Sequence, residues 1–298
     1  MDYKVFLETI INRLQEQLGK DYNVQLISTP KNNRKDCMAV MVSRTSLGKI
    51  KTGKSVEMEG IYLDYMEGKT LEDCVNSLLS VFKTEETNGK RLSEVAEEIY
   101  NWEKVKGRVY PMLIGRKGNE DYLAGLLHRP FMDMEIIYYI TVEVDGENGN
   151  AKVTDRLGGY WGKTEDEIHT MAMENLDGTG YRLTGLAELV AQMGDAAAEE
   201  AMEESMYVLL NESRCFGAAG ILSEKVLQMC ADRLKGDFYL LPSSVHEMIV
   251  VPVKREVSAD DLKKMVTEIN HEHVLPEERL CDDVFFCRYD ERKIRKAA

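Results

Sequence analysis

The stretch Gly48-Lys49-Ile50-Lys51-Thr52-Gly53-Lys54-Ser55, followed by Val56-Glu57-Met58-Glu59-Gly60-Ile61-Tyr62-Leu63-Asp64-Tyr65, decides between two architectures. Its first eight residues match G-x-x-x-x-G-K-[ST]. In that motif backbone amides and a lysine cradle phosphates, the hydroxyl holds magnesium, and a helix starts at once so that its positive end faces the anion. An α/β nucleotide-binding fold therefore needs a helix springing from Lys54. Gly60 interrupts the following residues, and Ile61 to Tyr65 reads as a strand, so the same letters predict the lysine-rich tip of a β-hairpin. Gly53, Lys54 and Ser55 are the candidate phosphate-binding residues. The hairpin reading gives them no such role and implies no cofactor.

Working outward, Phe6, Ile10 and Leu14 recur at helical spacing, which predicts an amphipathic helix from Asp2 to Leu18 closed by Gly19. Val24, Leu26 and Ser28 alternate with their neighbours, and Met38 to Val42 reads as the returning strand after the turn Pro30-Lys31-Asn32-Asn33. Thr70 with Asp73 opens a helix carrying Leu71, Val75, Leu78, Leu79 and Phe82, and a further helix covers Leu92 to Trp102. Beyond Gly107 strands take over: Val109 to Ile114, Ile136 to Val144, and Ala151 to Asp155 after the turn Asp145 to Asn150. Thr164 with Glu167 starts a helix through Met173. Strands follow at Met206 to Leu210, Phe238 to Leu241 and Glu247 to Val251, with helices at Gly220 to Leu234 and Ala259 to Ile269.

The 298 residues carry a formal charge of −14, which repels nucleic acid and anionic lipid because such binding rests on Lys and Arg displacing counterions. The one basic stretch, Lys31 to Lys54, has no interleaved aromatic side chains for base stacking. Glu199, Glu200, Glu203 and Glu204 predict the exposed face of a helix. Apolar runs such as Ile136 to Ile140 fall far short of the roughly 20 residues a bilayer crossing needs. The amino-terminal residues lack a signal-peptide pattern, and six cysteines without a C-x-x-C pair predict reduced thiols, so the expectation is a cytoplasmic protein with no membrane association.

The order Val109-Tyr110-Pro111, Ile137-Tyr138-Tyr139, Trp161 with Lys163-Thr164-Glu165, Ala172-Met173-Glu174-Asn175-Leu176 and Pro242-Ser243-Ser244-Val245-His246-Glu247-Met248 resembles the YtpQ-like uncharacterised family. It is more similar still to a related family of unknown function common in anaerobic gut bacteria. The resemblance covers residues 105 to 255 best and implies an α+β fold. It carries no activity or catalytic residue to transfer.

Three further clusters invite a chemical reading. Ser244, His246 and Glu247 bring hydroxyl, imidazole and carboxylate together in a turn, but a nucleophile needs its base within hydrogen-bond reach, and successive strand residues point to opposite faces. Turn chemistry explains those letters equally. His271-Glu272-His273 lacks the i, i+4 spacing of a helical zinc pair, so no metal site is expected. Cys215, ahead of Gly217 and Gly220, reads as a buried thiol, and Tyr160-Trp161 as aromatics folded onto the core from a hairpin end.

These observations predict an α+β protein with mainly antiparallel sheets and flanking helices, divided into residues 1–105 and 106–298. Function follows as a non-enzymatic binding or interaction protein, with protein as the expected kind of partner. The alternative is an enzyme, either a nucleotide hydrolase working through residues 48–55 or a hydrolase using the turn 243–247.

Overall fold

The computed structural model describes residues 1–35, 37–45, 53–83, 94–144, 147–192, 206–254 and 257–297. Gly48 to Thr52, the acidic run Glu199 to Glu204 and the turn residues Asp145 and Gly146 lie outside these. The chain is α+β, and its three sheets are antiparallel. It divides into two compact units, residues 1–104 with 142–149 and residues 105–141 with 150–298.

In the first unit, helix α1 (Tyr3–Leu18) and helix α3 (Leu71–Lys83) cover a three-stranded sheet of β1 (Tyr22–Ser28), β2 (Met38–Arg44) and β3 (Gly53–Glu57). The stripe Phe6, Ile10 and Leu14 is buried against Val40, Val42, Leu78 and Phe82. Gln15 ties α1 to the sheet: its amide nitrogen donates to the carbonyls of Gly19 and Tyr22, and its oxygen accepts from Val24 N–H at 3.1 Å. The capping box that opens α3 forms as the spacing of Thr70 and Asp73 requires.

One expectation fails here. Ile61 to Tyr65 is not a strand but the body of helix α2 (Met58–Met66). Met58, Ile61, Tyr62 and Tyr65 meet the core at i, i+3, i+4 and i+7, while Leu63 is 56% exposed, so the five-residue run satisfies both periods and packing selects the helix. The basic stretch is also partly neutralised by the residues that precede and enter α2. Lys31 pairs with Glu57 at 2.5 Å, and Arg34 pairs with Glu59.

The second unit holds two sheets. In one, β6 (Met134–Val144, in this unit up to Thr141) lies between β4 (Val109–Gly115) and β5 (His128–Phe131) and also pairs with β7 (Glu147–Lys152, in this unit from Asn150). The other has six strands in the order β13 (Ile294–Lys296), β12 (Phe285–Cys287), β10 (Phe238–Leu241), β11 (Met248–Pro252), β9 (Tyr207–Asn211), β8 (Tyr181–Gly185). After β7 the chain turns into helix α4 (Asp155–Trp161), capped by the Thr154 hydroxyl, so the expected strand stops at Lys152 and Asp155 is helical. That helix carries Tyr160 outward, 67% exposed, instead of folding it onto the core from a hairpin.

Helix α5 (Glu165–Asp177) begins with the Thr164–Glu167 capping box and packs on β4. A short helix α6 (Leu186–Gln192) follows β8. The predicted helix from Gly220 starts as a tight 3-10 segment, Gly217–Leu222, and becomes helix α7 (Glu224–Leu234) only after Ser223 caps it. Helix α8 (Ala259–His273) packs Leu262 and Val266 with Leu241 and Val251. No helix among the described residues is long and apolar enough to cross a membrane.

Candidate functional site

Gly53, Lys54 and Ser55 form the start of β3, where Lys54 lies opposite Val42 and Ser55 opposite Met41. No helix springs from Lys54. Its ammonium instead donates to the carbonyl of Val81 in α3 at 3.5 Å. Helix α2 begins only at Met58, separated from Lys54 by a pleated segment.

Ser244, His246 and Glu247 are placed differently from a hydroxyl–imidazole–carboxylate relay. The Ser244 oxygen accepts the backbone N–H of His246 at 3.1 Å, a local turn that holds the serine hydroxyl against the main chain. The His246 ring accepts the backbone N–H of Phe216 at Nδ1, 3.3 Å away, which puts the proton of the neutral ring on Nε2. Nε2 then faces Glu278, at 3.5 Å, so the carboxylate beside the histidine comes from the segment Pro276–Glu278 and not from Glu247. His271 and His273 sit in the last turn of α8, and no group of three metal-ligating side chains occurs among the described residues.

Phe216 leads to the feature with the most chemistry around it. Tyr110 of β4 is in register with Tyr139 of β6, their rings 5.9 Å apart on one face of the sheet. Phe216 stands edge-on to Tyr139 at 4.9 Å and stacks flat on His246 at 5.5 Å. With Tyr181 of β8 these rings wall a cavity of about 310 Å³. Gly178, Thr179 and Gly180 form another side of it, and Asn211, Glu212 and Ser213 reach it from the end of β9.

Asn211 makes most of the side-chain bonds that hold the loop delivering Phe216. Asn211 donates from Nδ2 to the carbonyl of Cys215 at 2.7 Å, and its oxygen accepts the Cys215 N–H at 3.2 Å and the Ser213 hydroxyl at 3.3 Å. These bonds hold Arg214 and Phe216 in left-handed backbone, φ 54° and 55°. Cys215 is exposed in this loop, contrary to the buried thiol expected from sequence, because the left-handed residues on either side turn it outward. Two glycines let the walls close. A Cβ on Gly217 would lie 2.5 Å from the His246 carbonyl oxygen, and one on Gly220 would lie 2.4 Å from the Tyr181 ring.

The electrostatics are unusual for a wall of this composition. Burial pushes the Tyr139 and Tyr181 hydroxyls well above the ordinary phenol range, so both stay neutral donors. Among the described residues Glu212 is the one charged side chain in the cavity wall, and it makes no ion pair with any of them. Lys152, at the end of β7, lies over the Phe216 ring at 4.7 Å and the Tyr139 ring at 5.5 Å. Its ammonium donates to the Met112 sulfur at 3.2 Å and has no carboxylate partner among the described residues. Burial lowers its pKa to about 8.

The other face of the same sheet is braced by ion pairs. Tyr138 is fully buried and its hydroxyl meets His169 Nδ1 at 3.0 Å, while Arg129 pairs with Glu165 and, at 2.6 Å, with Asp166. Burial, and then the Arg129 charge, lower the His169 pKa, which keeps the ring neutral against Tyr138. On the Tyr139 face, farther along β6, buried Glu135 is satisfied by Arg116 at 2.6 Å and His128 at 3.2 Å. Every charge in these clusters has a partner, the opposite of the situation around Lys152 and Glu212.

Sequence reasoning singled out Tyr110 and Tyr139 only as parts of a resemblance, and it missed Phe216, Tyr181, Glu212 and Lys152 as site residues. A signal for Phe216 existed in its neighbours, since Asn211 and Gly217 bracket a short polar loop.

The model of DUF5688, a family of unknown function, matches residues 3–290, nearly the whole chain, and the protein belongs to that family. No curated protein and no solved structure matches the chain.

Proposed function

We propose that this DUF5688 member is a non-enzymatic binding protein whose second unit takes a small organic cation in the cavity walled by Tyr110, Tyr139, Tyr181 and Phe216. The carrying observation is Glu212, a carboxylate with no ion pair among the described residues, in a wall that also holds four aromatic rings. A ring face attracts a cation by about 0.5–2 kcal/mol, the larger values where water is excluded. A carboxylate beside such rings favours ammonium or guanidinium over neutral ligands of the same shape. Among the described residues the wall contains no histidine, lysine or cysteine, which supports binding over covalent chemistry in the cavity itself. The test is calorimetric titration with choline and with 3,3-dimethyl-1-butanol, its neutral isostere. Choline binding that weakens about fivefold or more in Glu212→Gln, with no binding of the isostere, is the expected result. Equal affinity for both compounds, or none for either, overturns the reading.

The runner-up is a hydrolase built on His246, favoured by the Glu278 carboxylate that faces its Nε2. It needs a hydroxyl nucleophile other than Ser244, whose oxygen accepts a backbone amide. Ester turnover by the wild type that disappears in His246→Ala would establish it. The nucleotide-hydrolase version draws no support from Lys54 and Ser55 on a strand. A cytoplasmic location and a protein partner belong to the leading reading as expectations from composition. The YtpQ-like kinship rests on motif order alone and adds no activity.

A further inference from the structure

We propose that the cation taken by this cavity carries an uncharged oxygen a short chain away from its nitrogen, as an amino alcohol or amino ether does, and that the Tyr139 hydroxyl recognises that oxygen. This rests on the cation reading and deepens it by naming the class of ligand.

The fold leaves one buried hydroxyl over. Tyr139 is only 9% exposed, and its ring is fixed on one face of β6 with Tyr110 at 5.9 Å and Phe216 edge-on at 4.9 Å. A buried phenol ordinarily hydrogen-bonds its oxygen, because leaving the bond unmade costs the desolvation of the group. Two neighbouring tyrosines obey this. On the opposite face of β6 the Tyr138 hydroxyl meets His169 at 3.0 Å, and in the cavity wall the Tyr181 hydroxyl is engaged by Asn211. The Tyr139 hydroxyl makes no hydrogen bond among the described residues. Tyr139 borders the cavity, so a molecule seated there comes within its reach.

The same wall defines the kind of oxygen. Burial keeps the Tyr139 hydroxyl protonated, so it donates. A ligand without an acceptor leaves such a donor unpaired when it fills the site, and that is how a polar group in an apolar wall discriminates. The acceptor is uncharged because, among the described residues, Glu212 is the one charged side chain in the wall. A ligand carboxylate would bring a second negative charge with no cationic side chain of the wall to face it. Lys152 lies over the Phe216 and Tyr139 rings, at 4.7 and 5.5 Å, and is not part of the wall. A cavity of about 310 Å³ is at the small end of ligand pockets, so a short chain joins the nitrogen to the oxygen.

The experiment titrates the full chain calorimetrically with choline, with propyltrimethylammonium, in which a methyl group replaces the hydroxyl, and with glycine betaine, which ends in a carboxylate. One hydrogen bond changes affinity by about fivefold. Choline is therefore expected to bind about fivefold tighter than propyltrimethylammonium, and tighter than glycine betaine. Tyr139→Phe keeps the ring and removes only its oxygen. In that variant choline and propyltrimethylammonium should bind equally, with propyltrimethylammonium held as in the wild type. Tyr110→Phe, on a less buried ring of the same wall, should leave the preference for choline intact. Equal affinities in the wild type, a preference that survives Tyr139→Phe, loss of propyltrimethylammonium binding in Tyr139→Phe, or tighter binding of glycine betaine than of choline overturns the proposal. The wild-type comparison needs no variant to fold. Propyltrimethylammonium binding that weakens in Glu212→Gln, with choline bound no tighter in the wild type, leaves the cation reading standing while this one falls, and absence of binding by all three compounds ends both.

Discussion

Replacing Lys152 with methionine should make the protein more stable at neutral pH, and the sign can be worked out from its surroundings. The native state holds the ammonium against Met112, Tyr139 and Phe216, and burial lowers its pKa from 10.5 to about 8. Taken whole, that displacement corresponds to about 3 kcal/mol of penalty on the charged form. Partial exposure of the side chain reduces it to about 1–2 kcal/mol through solvent screening. The two ring contacts favour the ammonium by about 0.5–1 kcal/mol in return, so burial wins narrowly. Methionine keeps an unbranched stem, loses the charge and suits a site already lined by a thioether and two rings. Lys152→Met should therefore gain about 1 kcal/mol at pH 7. The pH dependence sharpens the test. Between about 8 and 10.5 the unfolded chain binds more protons than the native one, so wild-type stability gains from this group as pH rises. The variant lacks that gain, and its advantage should shrink toward zero by pH 10. Urea unfolding of both proteins at pH 7 and pH 10 measures this. A variant clearly less stable than the wild type at pH 7, or an advantage that does not change with pH, refutes the reasoning.

Two other substitutions examine the frame that holds Phe216. Gly217→Ala places a Cβ 2.5 Å from the His246 carbonyl oxygen and 3.1 Å from the Asn211 nitrogen, both backbone atoms that cannot swing aside. A loss of about 2–3 kcal/mol in urea unfolding is expected, and a neutral effect would contradict the packing described. Asn211→Ala removes the side-chain bonds to Ser213 and Cys215 and should cost about 2–3 kcal/mol. It should also raise amide exchange across residues 212–216, and unchanged exchange there would show that the loop holds itself.

Much of the α/β alternation was legible because local signals and burial agree. Thr70–Asp73 and Thr164–Glu167 announce helices by capping, and Phe6, Ile10 and Leu14 mark a buried face whatever packs on it. Ile61 to Tyr65 was misread because a five-residue, mostly apolar segment fits a strand and a helix alike, and only the contacts of Tyr62 and Tyr65 with Phe6 decide the matter. Strands β12 and β13 escaped notice because three residues give too short a pattern to register.

The site was less legible for a different reason. The aromatic wall draws on β4, β6, β8 and the loop after β9, segments that carry no mutual spacing in the sequence. Lys152 reads as an ordinary strand-end lysine until the register of β4 with β6 sets Met112 and Tyr139 on one face. Likewise, His246 finds its carboxylate at Glu278, across a chain reversal that no adjacency rule anticipates.

Gly217 and Gly220 carry a consequence for how this scaffold diversifies. At Gly217 main-chain atoms stand where a side chain would go, so the spacing there is a property of the backbone, whereas at Gly220 the Tyr181 ring fills that place and the two residues are matched to each other. Relatives that retain Gly217 and the asparagine brace can exchange Tyr110 or Phe216 without re-laying the chain, while a side chain at position 220 requires a change at Tyr181. The rings of the wall and its backbone can thus change separately except where Gly220 meets Tyr181.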